Sequence, residues 1–280
     1  MAGTDIKIGV ALSGGSAWGV AHVGVLAALL KHGIAVDCIA GTSAGAVVAA
    51  PFAFGVPIET IEEGAKKIEW KQVARFAYSR LGIRTNAALA KLIRELLGDA
   101  DIKDAKIPLA IVATDIEKGE EKIFREGDVA EAVRASSAIP GYFSPVDIDG
   151  TLYVDGGISE NLPLSPLKAM GADFTIGINL AGPMDPGRPK NLGQVVARSF
   201  EVLYRSRDRL LVSNADILIE PNVASFRPRT FDEAGELYDE GFRAGEAAVP
   251  AIKMKLALLK AARSNFWQRV KEFLTSDLRG

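Results

Sequence analysis

Three short strings carry residue types that could do chemistry: Ser13-Gly14-Gly15-Ser16-Ala17-Trp18-Gly19, Gly41-Thr42-Ser43-Ala44-Gly45 and Asp155-Gly156-Gly157. Ser43 follows an apolar run, Val36 to Ala40, and leads into Ala46-Val47-Val48-Ala49-Ala50. That pattern reads as strand, sharp turn and helix, with the serine at the apex. Side chains in place of Gly41 or Gly45 would crowd the neighbouring strand or helix. A helix beginning at Ala44 aims free N–H groups and the positive end of its dipole at the Ser43 hydroxyl, which favours negative charge there. The same string also serves as a plain small-residue turn, so its partners decide what it does.

The first string follows another apolar run, Ile6 to Leu12, and precedes a helical pattern from Val20 to about Lys31 that His32-Gly33 closes. Strand, glycine loop and helix start make a nest of backbone N–H groups that binds an anion. The anion could be a nucleotide phosphate or the oxyanion of an acyl transfer. Two features oppose the phosphate. Ser16 replaces the middle glycine of the dinucleotide pattern, and no Lys-Ser/Thr follows as in a P-loop. Asp37 also lies at the start of the second strand, the wrong edge for a ribose ligand. Both glycine turns end parallel strands, and open α/β sheets place their sites at that edge.

The chain has two histidines, His22 and His32, and both precede Ser43. A nucleophile–acid–histidine triad in that chain order is therefore excluded. His32 suits a helix C-terminus, and His22 suits packing. No His-Asp-Glu group has metal-ligand spacing, so no metal or cofactor is expected. A carboxylate remains as the base. Val146-Asp147-Ile148 and Leu152-Tyr153-Val154 flank Asp149-Gly150, a two-residue hairpin signal. The second strand ends in Asp155, which can project into a site or fold into its own turn. Of the carboxylates it is the best placed, provided partial burial raises its pKa.

The 280 residues are 48% hydrophobic with a formal net charge of −2. That suffices for a large α/β domain and gives no field that recruits nucleic acid. One cysteine, Cys38, leaves no disulfide framework. A polar N-terminus and the lack of a long apolar run point to a cytoplasmic protein without a membrane span. The alternation of apolar strands and helical stretches predicts a mainly parallel sheet covered on both faces.

Residues 51–106 read as mostly helical, clearest from Asn86 to Leu97 with Gly98 as the stop. Phe52, Phe54, Trp70, Phe76 and Tyr78 there read as core or as the wall of an acyl groove. Further strands are expected over 107–115, 122–124, 173–180 and 215–220. Helices are expected from Asp128 to about Ser137, over 192–213 and over 231–247, and 181–191 reads as an exposed linker. Residues 1–250 form the expected domain. Residues 251–280 read as a basic amphipathic helix, packed on the domain or laid on an anionic membrane.

In this order the strings resemble the patatin-like phospholipase family. The match extends through Gly19-Val20-Ala21-His22-Val23-Gly24, Ala135-Ser136-Ser137-Ala138-Ile139-Pro140 and Glu160-Asn161-Leu162-Pro163-Leu164, and covers most of residues 6–250. The resemblance implies a three-layer α/β/α fold and hydrolysis of lipid acyl esters without calcium. It implies Ser43 as nucleophile, Asp155 as base, and an oxyanion hole at Gly14, Gly15 and Ser16. Gly19, Gly41, Gly45, Gly156 and Gly157 support these motifs. The family loop commonly reads G-G-G-x-R-G. Here Ser16 and Trp18 stand at the third glycine and the arginine, so Trp18 is expected to offer an apolar surface to membrane, and Ser16 still offers its N–H if its backbone angles are ordinary, with its hydroxyl as a further donor. A non-catalytic lipid-binding module on the same fold is the alternative.

Overall fold

Strands of near-continuous apolar residues need cover on both faces. β1 (Ile8–Leu12), β2 (Cys38–Thr42), β5 (Leu109–Asp115) and β9 (Phe174–Ile178) are buried at every position. A computed structural model describes residues 6–67, 75–79, 82–180, 182, 187–190, 192–211, 214–226 and 233–276. With β10 (Ile217–Ile219) these strands form a parallel sheet in the order β10-β9-β1-β2-β5. β6 (Glu120–Phe124) and β8 (Thr151–Asp155) join β5 antiparallel, and β7 (Val146–Ile148) pairs with β8. The sheet is thus mainly parallel with an antiparallel end.

The two faces differ in thickness. Val10, Leu12, Ile39 and Ile111 point into a core with α1 (Val20–Lys31), α2 (Ala44–Ala53), α4 (Ala87–Leu97) and α5 (Val129–Ser136). Burial of each such large side chain contributes about 2 kcal/mol. The alternate residues, Ala11, Cys38, Ala40 and Ala110, are small and meet Leu162, Leu164 and Leu167. Small side chains let α6 (Gly157–Glu160) and α7 (Ser165–Ala169) lie close against that face. A Cβ on Gly9 would sit 2.8 Å from the Ala172 Cβ. With α8 (Leu192–Leu211) packed on α6, the architecture is three-layer α/β/α.

Local signals set most element ends. Asp128 accepts from the amides of Ala130 and Glu131 and starts α5. Asn86 stands at the N-cap of α4, and Gly98 (φ 70°) stops it. Asp149 (φ 54°) and Gly150 (φ 80°) make the β7–β8 turn. Residues 51–106 are less helical than expected. After α3 (Ile58–Lys67) they include a hairpin of β3 (Arg75–Ser79) and β4 (Gly82–Thr85). Aromatic and β-branched residues at alternate positions favour a strand. Docking completes it: the Arg84 carbonyl accepts from Ser144 N at 2.9 Å, and its guanidinium donates to Tyr142 Oη at 2.8 Å.

Phe52 and Phe54 pack on the core. Trp70 and the side chains of Phe76 and Tyr78 lie outside the described residues, as does much of 181–191. The final helix, α9 (Ala234–Ser276), runs unbroken through residue 250. It crosses α1 backbone to backbone: a Cβ on Gly24 would lie 2.1 Å from Tyr238 O, and one on Gly241 would lie 2.0 Å from Ala21 O. Val249 and Ile252 are buried, whereas Met254, Leu258 and Phe266 are exposed. Side chains from 267 onward lie outside the described set. Among the described residues no helix is long and apolar enough to cross a membrane.

Candidate active site

Strand register brings Ser43 and Asp155 together. β2 runs parallel to β5 and pairs Thr42 with Val112; β8 runs antiparallel and pairs Asp155 with Ala113. β6 occupies the other edge of β5 over residues 111–115. β2 and β8 therefore share one edge and point at each other, so their last residues meet. The Ser43 hydroxyl lies close enough to the Asp155 carboxyl to favour its ionised form.

The serine sits at φ 52°, ψ −119°, outside the ordinary regions for an L-residue. Three contacts hold it there. A Cβ on Gly41 would stand 2.6 Å from Ala46 N, and one on Gly45 would stand 2.1 Å from Leu12 O, so both positions admit only glycine. The Ser43 N–H donates to Ser136 Oγ at 2.8 Å, and the Ser136 hydroxyl in turn donates to Val112 O at 2.6 Å. Ser136, 0% exposed, was not among the expected site residues. The only hint of it was its place in the Ala135–Pro140 string. The same segment holds the aspartate: Asp155 N donates to Ala138 O, and Gly156 N to Ser136 O. Gly156 belongs there because its Cβ would fall 2.1 Å from Val112 O.

Asp155 is 3% exposed. Burial pushes its carboxyl up to about 6, against the Gly157 N–H (2.8 Å) and the Ser43 hydroxyl, which pull it down. Tyr204 of α8 covers it. The point 3.1 Å from Asp155 Oδ1 that a Gly157 Cβ would occupy lies 3.2 Å from the Tyr204 ring. Nothing in the sequence tied Tyr204 to this site.

The glycine loop follows β1, which neighbours β2. Gly14 lies against the serine, with its missing Cβ 3.5 Å from Ser43 Cβ. Its amide is committed, donating to Asn161 O at 3.2 Å. That bond competes with the expected role of this N–H at an oxyanion. The amides of Gly15 and Ser16 have no partner among the described residues. Ser16 has φ 54° rather than ordinary angles, so the serine adopts the conformation a glycine would favour. Gly19 allows α2 to approach, since its Cβ would lie 2.9 Å from Ala44 Cβ.

Trp18 is a second correction. It is 8% exposed, donates from Nε1 to Phe226 O at 3.1 Å, and lies where a Gly182 Cβ would sit. Leu180, Val223 and Leu237 surround it, so it is core rather than membrane surface. His22 is fully buried and bonds Ser13 O through Nε2 at 2.8 Å. Burial lowers its pKa to about 4, so it stays neutral and props the loop from behind. His32 meets Glu246 at 3.3 Å. Asp37 holds Ile8 N at 2.7 Å, at the opposite edge of the sheet from the site. Among the described residues no acidic, His or Cys group is arranged to hold a metal.

A cleft partly open to solvent leads to Ser43. Val20, Val47, Val48, Leu89, Ile139 and Phe143 form most of its wall, with Ser16, Gly19, Asn86 and Ser137 as its polar or small members. Such a wall suits an acyl chain.

A model of the patatin-like phospholipase family matches residues 10–168. An NTE family protein of Mycobacterium bovis is 35% identical over 222 residues, 76% of this chain and 60% of the relative. Lysophospholipase NTE1 of Debaryomyces hansenii is 32% identical over 204 residues, 71% of this chain but 13% of the relative. The chain therefore spans at most about three fifths of these relatives. Two solved structures share the fold. VipD from Legionella pneumophila has TM-score 0.51 and 16% identity, covering 92% of this chain and 67% of its own. The type III effector ExoU has TM-score 0.51 and 18% identity, covering 88% and 53%. With more than half its length matched by the family model, and with its motifs at one sheet edge, this chain belongs to the patatin-like phospholipase family.

Proposed function

We propose that the protein is a serine acyl hydrolase acting on lipid esters of the phospholipase A or lysophospholipase type, with Ser43 and Asp155 as a catalytic dyad. The register that ends β2 and β8 at the same point of β5, with the Ser43 hydroxyl near enough to act on the buried Asp155 carboxyl, carries this reading. The family and the lysophospholipase relatives support the substrate class.

In this mechanism Asp155 takes the Ser43 proton as Oγ attacks the ester carbonyl. The tetrahedral oxyanion sits against the Gly15 and Ser16 amides and the start of α2. Each good donor there stabilises it by about 3 kcal/mol. Collapse expels the alcohol, which receives the proton from Asp155. The carboxylate then deprotonates a water, which attacks the acyl-enzyme, releases the fatty acid and restores Ser43. A carboxyl near 6 is ionised at neutral pH yet is a stronger base than an exposed one. Activity should therefore rise with pH through about 6 and level off above it.

Hydrolysis of esters from p-nitrophenyl butyrate to lysophosphatidylcholine, with fluorophosphonate labelling of Ser43, tests the reading. Ser43→Ala should abolish both, and Asp155→Asn should lower hydrolysis by about a thousandfold or more. Labelling that persists in Ser43→Ala, or no hydrolysis by the intact protein, leaves a non-catalytic lipid-binding module.

Membrane contact through residues 251–280 is the second part of the proposal. Met254, Leu258 and Phe266 are 59%, 64% and 60% exposed on a helix that also carries Lys253 and Lys260. Deleting 264–280 should reduce binding to anionic vesicles; undiminished binding removes the idea.

A further inference from the structure

The cleft wall has one polar spot apart from the reacting pair and its loop. Ser137 follows α5, is 9% exposed, and its hydroxyl has no hydrogen-bond partner among the described residues. Asn86, at the start of α4, is fully buried and lines the same cleft. One carbonyl joins them: Arg134 O accepts from Asn86 Nδ2 at 2.7 Å and from Ser137 N at 3.2 Å. Arg134 Nε donates to Asn86 Oδ1 at 3.3 Å, which fixes the amide's orientation. One Asn86 amide proton remains uncommitted. Ser137 and Asn86, joined through Arg134 O, thus stand together on a wall otherwise lined by groups such as Leu89, Ile139 and Phe143.

A buried hydroxyl without a partner carries a desolvation penalty that a methylene cannot relieve, whereas an oxygen atom placed against it can. Its position along the cleft is also set. Ser136, the preceding residue, bonds the Ser43 amide, so the spot lies at the ester end of the cleft. We propose that Ser137 and Asn86 form an oxygen-reading subsite that selects acyl groups bearing a hydroxyl or oxo oxygen on the first few carbons. This deepens the acyl-hydrolase reading and rests on it.

The test compares kcat/KM for p-nitrophenyl esters of octanoic, 2-hydroxyoctanoic and 3-hydroxyoctanoic acids, normalised to their spontaneous hydrolysis. The intact protein should favour one hydroxyacyl ester over octanoate by about tenfold or more. Ser137→Ala should bring that ratio towards one, and Ser137→Thr, which keeps the hydroxyl, should retain part of it. Equal efficiencies in the intact protein overturn the proposal without any variant having to fold. A preference that survives Ser137→Ala also overturns it, the spot then holding only water. If octanoate is cleaved and Ser43 labelled but oxygen brings no gain, the subsite alone fails. If no ester is cleaved and Ser43 takes no label, the hydrolase reading fails first.

Discussion

Two serines lie beyond the ends of neighbouring parallel strands of this sheet, and both sit at positive φ. Ser43 follows β2 at φ 52°, and Ser16 follows the loop after β1 at φ 54°. Their surroundings are opposite. The Ser43 amide is bonded to Ser136 Oγ, and its flanking glycines touch backbone atoms on both sides. The Ser16 amide has no partner among the described residues, and its residue lines the cleft. Strain at the first serine is enforced by packing and aims the hydroxyl proposed as nucleophile. At the second it leaves an N–H available for an anion. A positive φ thus serves opposite ends, and the hydrogen bond to the amide tells them apart.

The comparison can be broken from the elbow side with the largest effect. Gly45→Ala puts a Cβ 2.1 Å from Leu12 O, where neither backbone can yield, and should cost more than about 4 kcal/mol. Urea unfolding should show either no cooperative transition or a midpoint far below that of the parent. A near-normal midpoint would falsify the claim that packing holds the turn.

Next comes Asp155→Asn. The native carboxyl titrates near 6 against 3.8 in the unfolded chain, so the native state binds more protons between those values. The group's contribution to stability therefore falls as pH rises from about 4 to about 6 and is unfavourable above. The variant should be inactive yet more stable at pH 8, by up to about 3 kcal/mol, with the gain vanishing below pH 4. Equal stability at pH 8 would show that the carboxyl is not desolvated.

Ser136→Ala removes the partner of the Ser43 amide and should cost about 2 kcal/mol. It should also lower kcat more than it changes KM, because the nucleophile is misaimed while the cleft wall stays. The smallest effect belongs to Ser16→Gly. Relief of positive-φ strain offsets the added freedom of the unfolded chain, so stability should hold or rise by up to about 1 kcal/mol. Hydrolysis should persist, since the amide remains. A clear loss of stability there would mean that the Ser16 side chain is held more firmly than its contacts suggest.

Signals confined to a few residues were legible. The elbow at Ser43, the caps at Asp128 and Gly98 and the Asp149-Gly150 turn rest on chemistry within four positions, and each stands where expected. Failures share a different origin. Trp18 reads as a surface ring until Gly182 and Phe226, more than 160 positions away, close over it. Gly14 reads as an oxyanion donor, and only the fold shows its amide donating to Asn161 O. The β3–β4 hairpin gives only a short alternation, and its docking on residues 142–144 completes the signal. Gly24 and Gly241, more than 200 positions apart, together set the crossing of α1 and α9.

From the chain alone came the chemical inventory and the local shapes: a serine on a tight turn, an amide nest, an aspartate closing a strand, and no histidine placed to complete a triad. Tertiary structure decided that β2 and β8 lie end to end along one edge of β5, which is what joins the hydroxyl to the carboxyl. The reason is range. Turn and cap preferences are energies of neighbouring residues, whereas the edge a returning strand occupies after more than a hundred residues depends on which faces the whole core must bury.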